Sequence, residues 1–299
     1  MDRLYLMTVF VAVAEAESFA GAARRLMLSP PAVTRAVATL EERLGVKLLH
    51  RTTRFVRVTE AGQRYLEESR RVIAAADEAD EAAQGIHREP RGQLVVTAPV
   101  LFGRMYVMPG IVDYLQRFPA TEISALFLDR VVNLLEEGVD VGIRIGELAD
   151  SSYKALRVGQ VRRVICASPA YLQHNGVPQQ PDDLAQHPLI VASNLNPHVE
   201  WRLLRNGEAM TVRIKPRLTV TSNDAAIEAA VRGLGITRLI SYQVAPQLAA
   251  GELKIVLSDF EPAPVPVHVV HREGRYASAK VRAFIDLMVE RLRADPSLN

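Results

Sequence analysis

The sequence predicts a multidomain α/β protein with an N-terminal helix-turn-helix, one long helix and a C-terminal region of alternating strands and helices. Residues 18–45 have the caps and the apolar spacing of two helices joined by a tight turn. Residues 59–87 contain no Pro and many Ala, Glu and Arg, which is typical of a long helix. From Gln93 onward, short apolar runs alternate with amphipathic segments, and this βαβ pattern predicts a parallel sheet.

The second predicted helix of residues 18–45 has one apolar face and one polar face. Ser29 is a candidate N-cap, and Pro30 fits the first helical position because that position needs no N–H donor. Four apolar residues recur at i, i+4, i+7 and i+11 and therefore share one face: Val33, Val37, Leu40 and Leu44. Thr34 and Arg35 lie on other faces, where a hydroxyl and a guanidinium suit a DNA major groove. On spacing alone, a plain helical hairpin explains the pattern equally well.

The segment after this hairpin predicts a two-stranded wing. Residues 48–59, LLHRTTRFVRVT, have an apolar start, a basic and polar tip, and then an alternation that suits a strand. Up to Thr59, nine basic residues face five acidic ones, whereas the remainder of the chain is slightly acidic. This concentration of positive charge favours nucleic acid as the partner of the N-terminal region.

With the wing included, residues 1–62 resemble the winged helix-turn-helix of the LysR-type transcriptional regulators. The family's pattern runs unbroken here as AARRLMLSPPAVTRAVATLEERLGVKLLHRTTR, followed by TEAG. The resemblance implies DNA contacts at Pro30, Pro31, Thr34, Arg35 and Arg54, and phosphate contacts are expected at Arg51 and Thr52. Members commonly have Gln directly after the capping Ser, where this chain has Pro30, so a bidentate contact to adenine is absent there. Base recognition should therefore depend more on Thr34, Arg35 and the wing residue Arg54.

The long helix is predicted to present a seam to another helix. Large and small residues alternate along it at heptad spacing: Tyr65, Val72, Ala79 and Ile86, with Ser69, Ala76 and Ala83 between them. The partner could be a second copy of the chain or the chain's own N-terminal domain. The resemblance implies a linker helix that pairs antiparallel in a dimer. Residues 88–92 then form a hinge, because Pro90 and Gly92 cannot continue the helix.

The remaining residues resemble the family's effector domain, which is built like a two-lobed periplasmic binding protein. Helices are expected at residues 104–118, 131–137, 223–232 and 278–292, between short strands. The resemblance places the crossings between lobes near Val161 and Pro266. The expected domains are residues 1–59 for DNA binding, 60–90 for the linker helix and hinge, and 91–299 for effector binding. Lobe one takes about 91–161 and 267–299, and lobe two about 162–266.

The cleft between two such lobes is the expected effector site, because helix N-termini and strand ends converge there. By resemblance, we expect seven residues at this site: Thr97, Pro99, Val100, Arg144, Ser193, Asn223 and Thr237. Family members often carry Ser or Thr near positions 100 and 101, whereas this chain has Val and Leu, which favours a more apolar effector. Arg144 is the expected partner of an anion, although a strand Arg more often lies at the surface in an ion pair.

Motifs of other protein classes are missing from the sequence. It has no G-x-S-x-G elbow, no P-loop and no G-x-G-x-x-G, so we expect neither an enzyme nor a bound cofactor. Cys166 is the only cysteine, which excludes an intrachain disulfide and suits the cytoplasm; we interpret it as a buried apolar residue. No apolar run reaches the length of a membrane span.

The resulting prediction is a cytoplasmic, sequence-specific DNA-binding regulator controlled by a small molecule bound between the lobes. The expected partners are a pseudo-palindromic operator in double-stranded DNA, the effector and further copies of the chain, with RNA polymerase as an additional candidate. The resemblance implies a homotetramer built as a dimer of dimers. The rival interpretation is a small-molecule binding protein whose N-terminal helices serve only assembly. That protein would leave the basic wing unexplained.

Overall fold

The computed structural model describes residues 2–51, 56–83, 89–148, 153–192, 199–271 and 278–298. The chain divides into two compact units, Met1–Arg88 and Glu89–Asn299. In the described residues, no helix is both long enough and apolar enough to cross a membrane.

The first unit is helical with one small sheet. Its described elements are α1 (Arg3–Ala16), α2 (Phe19–Arg25), α3 (Pro30–Leu44), β1 (Leu49–Arg51), β2 (Val56–Val58) and α4 (Glu60–Ala83). The side chain of Ser18 accepts a hydrogen bond from the amide of Gly21 and so caps α2, as predicted. Strands β1 and β2 pair antiparallel, with Leu49 opposite Val58. The core lies between α1, α2 and α3, and contains Phe10, Val13, Ala22, Val33, Val37 and Leu40.

The second unit contains two five-stranded sheets in its described residues. The first has the order β4-β3-β5-β14-β6, from β3 (Gly92–Ala98), β4 (Thr121–Phe127), β5 (Val141–Ile145), β6 (Lys154–Val161) and β14 (Val265–His271). Strand β3 is parallel to β4 and β5, whereas β14 is antiparallel to β5 and β6. Helices α5 (Val100–Phe102), α6 (Met108–Arg117) and α10 (Ala279–Ala294) accompany this sheet.

The second sheet has the order β11-β8-β12-β7-β13. Its strands are β7 (Arg163–Ala167), β8 (Leu189–Ala192), β11 (Leu218–Val220), β12 (Ile236–Ile240) and β13 (Lys254–Val256). Helices α7 (Pro169–Asn175), α8 (Asn223–Val231) and α9 (Ala245–Ala249) accompany it, and β9 (Val199–Arg205) and β10 (Glu208–Ile214) form a separate hairpin. The chain passes from the first sheet to the second between Val161 and Arg163 and returns at Val265.

Both sheets are mixed, so the predicted parallel pairing is present only in part, between β3 and its neighbours β4 and β5 and between β8 and its neighbours β11 and β12. Strand β14 enters the first sheet after the chain has completed the second one, and it runs antiparallel to both of its neighbours. In the second sheet, β7 is likewise antiparallel to β12 and β13. Strands β6, β9 and β13 were not predicted, because charged and polar residues interrupt their apolar pattern.

Two helices differ from their predicted bounds. No helix forms at residues 131–137: residues 131–133 are irregular and residues 134–138 form a turn, in which the side chain of Asn133 accepts hydrogen bonds from the amides of Leu135 and Glu136. The helix expected at Arg104 already begins at Val100 and continues through a π-helical turn, Gly103–Val107, into α6. Position 103 of this helix is a glycine because the ring of Phe127 fills the space that a Cβ would need.

Candidate nucleic-acid interface and ligand cleft

One face of α3 is exposed and carries four of the residues expected to contact DNA. Pro30, Pro31, Thr34 and Arg35 are all exposed. On the opposite face Val33, Ala36, Val37 and Leu40 are fully buried, which confirms the predicted apolar face except for the half-buried Leu44. The burial of one face therefore turns the other outward as a ridge of the width that a major groove admits.

The N-terminus of α3 differs from an ordinary cap. Ser29 occupies the N-cap position, but its side chain makes no capping hydrogen bond. Pro30 and Pro31 occupy the first two helical positions, where neither can donate an N–H. The hydroxyl of Thr34 donates to the carbonyl of Pro30 at 3.0 Å. Its oxygen keeps the capacity to accept a hydrogen bond from a base or a water on a phosphate.

Arg35 has no acidic partner among the residues that the structure describes. Nearby arginines differ in this respect: Arg25 and Arg70 both bind Glu15, at 2.6 and 2.9 Å. Burial alone would raise the pKa of Glu15, but its hydrogen bonds with Arg70 and Arg25 outweigh burial and lower it. Arg25 and Arg70 thus hold α2 and α4 to α1, whereas the guanidinium of Arg35 is available to an external anion or base.

A buried carboxylate connects α3 to the wing. Glu41 is 3% exposed, and its Oε1 accepts from the amides of Leu48 and Leu49 at 2.9 and 3.2 Å. Its Oε2 accepts from Lys47 Nζ at 3.0 Å. The sequence reasoning treated Glu41 only as one acid among five, and an acid beside the apolar stripe was the available signal. The contact fixes where the wing begins relative to the exposed face of α3.

The TEAG segment has a similar structural role. Thr59 Oγ1 donates to the carbonyl of Lys47 at 2.7 Å and accepts from the amide of Gly62 at 2.9 Å. A Cβ on Gly62 would lie 2.0 Å from the carbonyl oxygen of Leu48, so only glycine allows α4 to start this close to the wing. The wing tip residues Thr52 and Arg54, expected on DNA, lie outside the described residues. Arg51 pairs with Val56 through its backbone, and its side chain is likewise not described.

The predicted seam of α4 divides into two parts. Near its start, Tyr65 lies 5.8 Å from Phe10 of α1 between ring centroids, and Ser69 is fully buried. These residues pack on the chain's own domain, which was one of the two alternatives. Val72, one turn further along, is 44% exposed. Of the remaining seam residues, the side chains of Ala79 and Ala83 are not described, and Ile86 lies outside the described residues.

A cleft of about 630 Å³ lies between the two sheets of the second unit. One wall comes from the segments that follow β3 and β4 and from β5. The other comes from β7, β8, β9, β12 and the start of α8. Of the described residues, four arginines and two acids line it: Arg130, Arg144, Arg163, Arg238, Asp129 and Glu200. The cleft is thus cationic, with a volume suited to a small organic ligand.

The residues expected to bind an effector divide between the cleft and the sheets. Pro99, Arg144 and Asn223 line the cleft. Thr97 and Thr237 are 2% and 0% exposed, so their hydroxyls face the protein interior. The hydroxyl of Thr97 donates to the carbonyl of Leu126 at 2.7 Å. Ser193 lies outside the described residues, and effector binding by any of the seven stays a prediction.

Two of the cleft arginines are held by protein groups. Arg130 forms a bidentate pair with Glu137, with distances of 2.7 and 2.6 Å, and this pair lowers the pKa of the Glu137 carboxyl. Arg144 Nη2 donates to the carbonyl of Val132. Burial lowers the pKa of the Arg144 guanidinium. Arg130 therefore joins the two ends of the loop of residues 130–137, and Arg144 holds that loop against β5. Both side chains also add positive charge to the cleft.

Asp129 is a cleft residue that the sequence reasoning missed. Its Oδ1 accepts from the amide of Val100 at 3.0 Å, and its Oδ2 accepts from Asn223 Nδ2 at 3.2 Å. The carboxylate therefore occupies the first amide of α5, and it connects the two walls of the cleft through Asn223. Its only signal in the sequence was its position just after a predicted strand.

Arg238 and Trp201 were also missed. Arg238 lies on β12, and its Nη2 donates to the carbonyl of Arg202 at 2.9 Å. Its Cζ lies 6.0 Å from the centroid of the Trp201 ring, and Trp201 is 4% exposed. A charged residue inside the apolar run ITRLI was the signal that could have found Arg238.

The described part of the chain gives little support for a metal site or a reactive thiol. No group of three or more His, Cys, Asp or Glu side chains there could hold a metal ion. Cys166 is fully buried, and burial raises the pKa of its thiol to about 12. It is a buried apolar residue, as predicted.

Comparison with known families gives two matches that together span almost the whole chain. Residues 4–63 match the family described as "Bacterial regulatory helix-turn-helix protein, lysR family". Residues 87–293 match the family described as "LysR substrate binding domain".

Relatives match over nearly their full length. The chain is 33% identical over 301 residues to an HTH-type transcriptional repressor of Pseudomonas aeruginosa, covering 100% of this chain and 95% of that protein. It is 31% identical to the solved structure of CrgA, a LysR-type transcriptional regulator from Neisseria meningitidis, with a TM-score of 0.62 over 96% of this chain and 98% of that one. The full-length virulence activator AphB of Vibrio cholerae is 26% identical, with a TM-score of 0.62 over 97% of this chain and 99% of that one.

Proposed function

Because this chain belongs to the LysR family of transcriptional regulators, with a helix-turn-helix DNA-binding domain and an effector-binding regulatory domain, we propose how it performs these roles. The exposed face of α3 contacts bases of an operator, and a small molecule in the cleft between the sheets changes operator binding. The single observation that carries this proposal is the exposed ridge of Pro30, Pro31, Thr34 and Arg35, in which Arg35 has no acidic partner among the described residues.

Arg35 contacts the edge of a guanine in this proposal, since a guanidinium can donate two hydrogen bonds to it. Thr34 accepts from a base or a phosphate-bound water, and Pro30 gives apolar contact to a thymine methyl group. Arg51 and Thr52 bind phosphates, and Arg54 enters the minor groove. The supporting arrangement is the Glu41 contact, which ties the wing to the same helix that carries Arg35.

Self-association belongs to the proposal as well. Residues 60–90 act as linker helix and hinge, α4 pairs with a second copy beyond the part that packs on α1, and two dimers form a homotetramer. The exposed Val72 on the seam supports this. Two-fold pairing then predicts a pseudo-palindromic operator with half-sites separated by whole helical turns. The protein acts in the cytoplasm without enzymatic activity, and RNA polymerase is a candidate partner.

Operator binding tests the proposal with a matched pair of variants. A fluorescence anisotropy titration at fixed salt uses the DNA upstream of the protein's own gene. We expect Arg35→Ala to weaken specific binding by about 1 to 3 kcal/mol, since a base contact is lost. Arg43→Ala removes an exposed arginine from the last turn of the same helix and should change binding much less. Equal affinities of the wild type and Arg35→Ala would remove α3 from the base contacts.

A further inference from the structure

The guanidinium of Arg238 is a charge inside the cleft that the described protein does not neutralise. Its Nη2 donates to the carbonyl of Arg202, but its Nε is buried and has no hydrogen-bond partner. None of the ion pairs found among the described residues includes it. A half-buried cation without a carboxylate costs folding free energy, and an anion from outside the chain would neutralise it.

A second arginine strengthens the positive charge at this position. Strands β12 and β7 are antiparallel, with Arg238 opposite Ile165 and Ile240 opposite Arg163. Arg238 and Arg163 are therefore diagonal neighbours on one face of the sheet. Burial, and after it the charge of Arg163, lowers the pKa of Arg238 to about 10, which leaves the Arg238 guanidinium cationic at neutral pH. Arg163 is exposed and likewise has no ion pair within the described ranges.

The opposite wall of the cleft has fewer donor groups that are available to bind an anion. The amide of Val100 at the start of α5 would be the natural donor, but Asp129 already accepts from it at 3.0 Å. A ligand carboxylate there would have to displace Asp129 and would meet its negative charge. The remaining arginines of the cleft are Arg130, which is paired with Glu137, and Arg144, which donates to Val132. Arg238 and Arg163 are thus the cations left for a ligand.

Apolar side chains also line the cleft. The ring of Trp201 lies beside the guanidinium of Arg238, and Ile143, Val191 and Leu239 line the cleft. Such walls favour an anion attached to an apolar body, since burial of apolar surface adds to the charge interaction. Inorganic phosphate would gain nothing from these walls.

From these contacts we infer that the effector is a small organic carboxylate whose carboxyl group binds Arg238, assisted by Arg163, and whose apolar body lies against Trp201. This inference rests on the proposed function, because it names the class of ligand for the cleft that the proposal assigns to the effector. It also moves the anion site from Arg144, where sequence reasoning expected it, to the opposite wall. The aliphatic residues Val100 and Leu101 are then no obstacle to an anionic ligand.

Isothermal titration calorimetry of the full-length protein tests the inference with benzoate as the probe. Benzamide is the neutral match and inorganic phosphate the anion without an apolar body. We expect benzoate to bind at least tenfold more tightly than either of them. Arg238→Met should weaken benzoate binding at least tenfold, because a charge-assisted contact is lost. Arg217→Met, an exposed arginine of the same lobe outside the cleft, should leave it unchanged.

Several outcomes overturn the inference: no benzoate binding to the wild type, equal binding of benzamide or phosphate, or unchanged benzoate binding by Arg238→Met. If Arg238→Met does not fold, Arg163→Met replaces it, since Arg163 is exposed, and a loss of affinity of at least twofold is expected. The proposed function has a separate readout, the operator titration without ligand. Specific operator binding combined with failed benzoate binding removes only the ligand assignment, and the converse result removes only the DNA proposal.

Discussion

Two partly or fully buried charges distinguish the DNA-binding unit from the effector-binding unit. Glu41 is 3% exposed and accepts hydrogen bonds from two amides and one ammonium group. Arg238 is half-buried, gives one hydrogen bond to a carbonyl and meets no carboxylate among the described residues. Both are charged side chains next to apolar neighbours, so composition alone does not separate them.

The difference lies in what each charge does for the folded chain. Glu41 accepts hydrogen bonds from the buried amides of Leu48 and Leu49, so the wing and α3 depend on it for their relative position. Arg238 satisfies one carbonyl, and its remaining donors serve no described group of the protein. A charge whose hydrogen bonds are complete stabilises the fold, whereas a charge that keeps free donors in a cleft is suited to a ligand.

The largest expected effect on stability follows from removing Glu41. Glu41→Ala should lower the free energy of unfolding by about 2 to 6 kcal/mol, because two buried amides lose their acceptor at about 1 to 3 kcal/mol each. Urea denaturation followed by circular dichroism measures the change. Hydrogen exchange should also show that the amides of Leu48 and Leu49 lose protection.

The control for this prediction is Glu42→Ala, an exposed neighbour whose change should stay within about 0.5 kcal/mol. Arg238→Met extends the comparison to the second unit and should leave stability unchanged or raise it, since it removes an uncompensated charge. A loss of stability by Arg238→Met as large as that by Glu41→Ala would mean that both charges are structural.

A smaller effect is expected at Asp129. Asp129→Ala removes the acceptor of the Val100 amide and of Asn223 Nδ2, and it should lower stability by about 0.5 to 1.5 kcal/mol. Urea unfolding compares this variant with Asp286→Ala, which removes an exposed carboxylate from α10. An Asp129→Ala variant as stable as Asp286→Ala would show that the contact between the cleft walls contributes nothing measurable.

The smallest expected effect is a pH dependence from His268 on β14. Burial and then the charge of Arg157 lower the pKa of His268, whereas Glu147 opposes this. The folded state therefore resists the proton that the unfolded state binds near pH 6.5, so this contribution to stability is present above that pH and is lost as the pH falls. Stability of His268→Gln should decline less between pH 7 and pH 5 than that of the wild type. His174→Gln, at an exposed histidine, should follow the wild type.

Helical periodicity made the exposed face of α3 predictable. Residues three and four apart share a helix face, so the apolar positions Val33, Val37 and Leu40 determined from sequence alone that Thr34 and Arg35 are exposed. The hydrogen bonds of Glu41 were not predictable in this way, because its partners lie at the start of the wing and not on α3. Contacts between two different elements follow no helix or strand period, so the sequence pattern does not reveal them.

The residues that line the cleft were less predictable, because their contacts also join different elements of the fold. Pro99, Arg144 and Asn223 follow strand ends or begin a helix, and these positions converge in any α/β fold of this kind. Arg238 lies on β12 and Trp201 on β9, which belongs to a separate hairpin outside the second sheet. Strand β9 was not predicted from the sequence, so the contact between these two residues was not predictable either.

The central claim is that one arginine, Arg35, contacts DNA and another, Arg238, binds the ligand. The most direct test measures operator binding by Arg35→Ala and Arg238→Met side by side, with and without benzoate. Arg35→Ala is expected to lose specific affinity under both conditions. Arg238→Met should keep the ligand-free affinity of the wild type and lose the response to benzoate. Unchanged operator affinity in Arg35→Ala, or a full benzoate response in Arg238→Met, would contradict this claim.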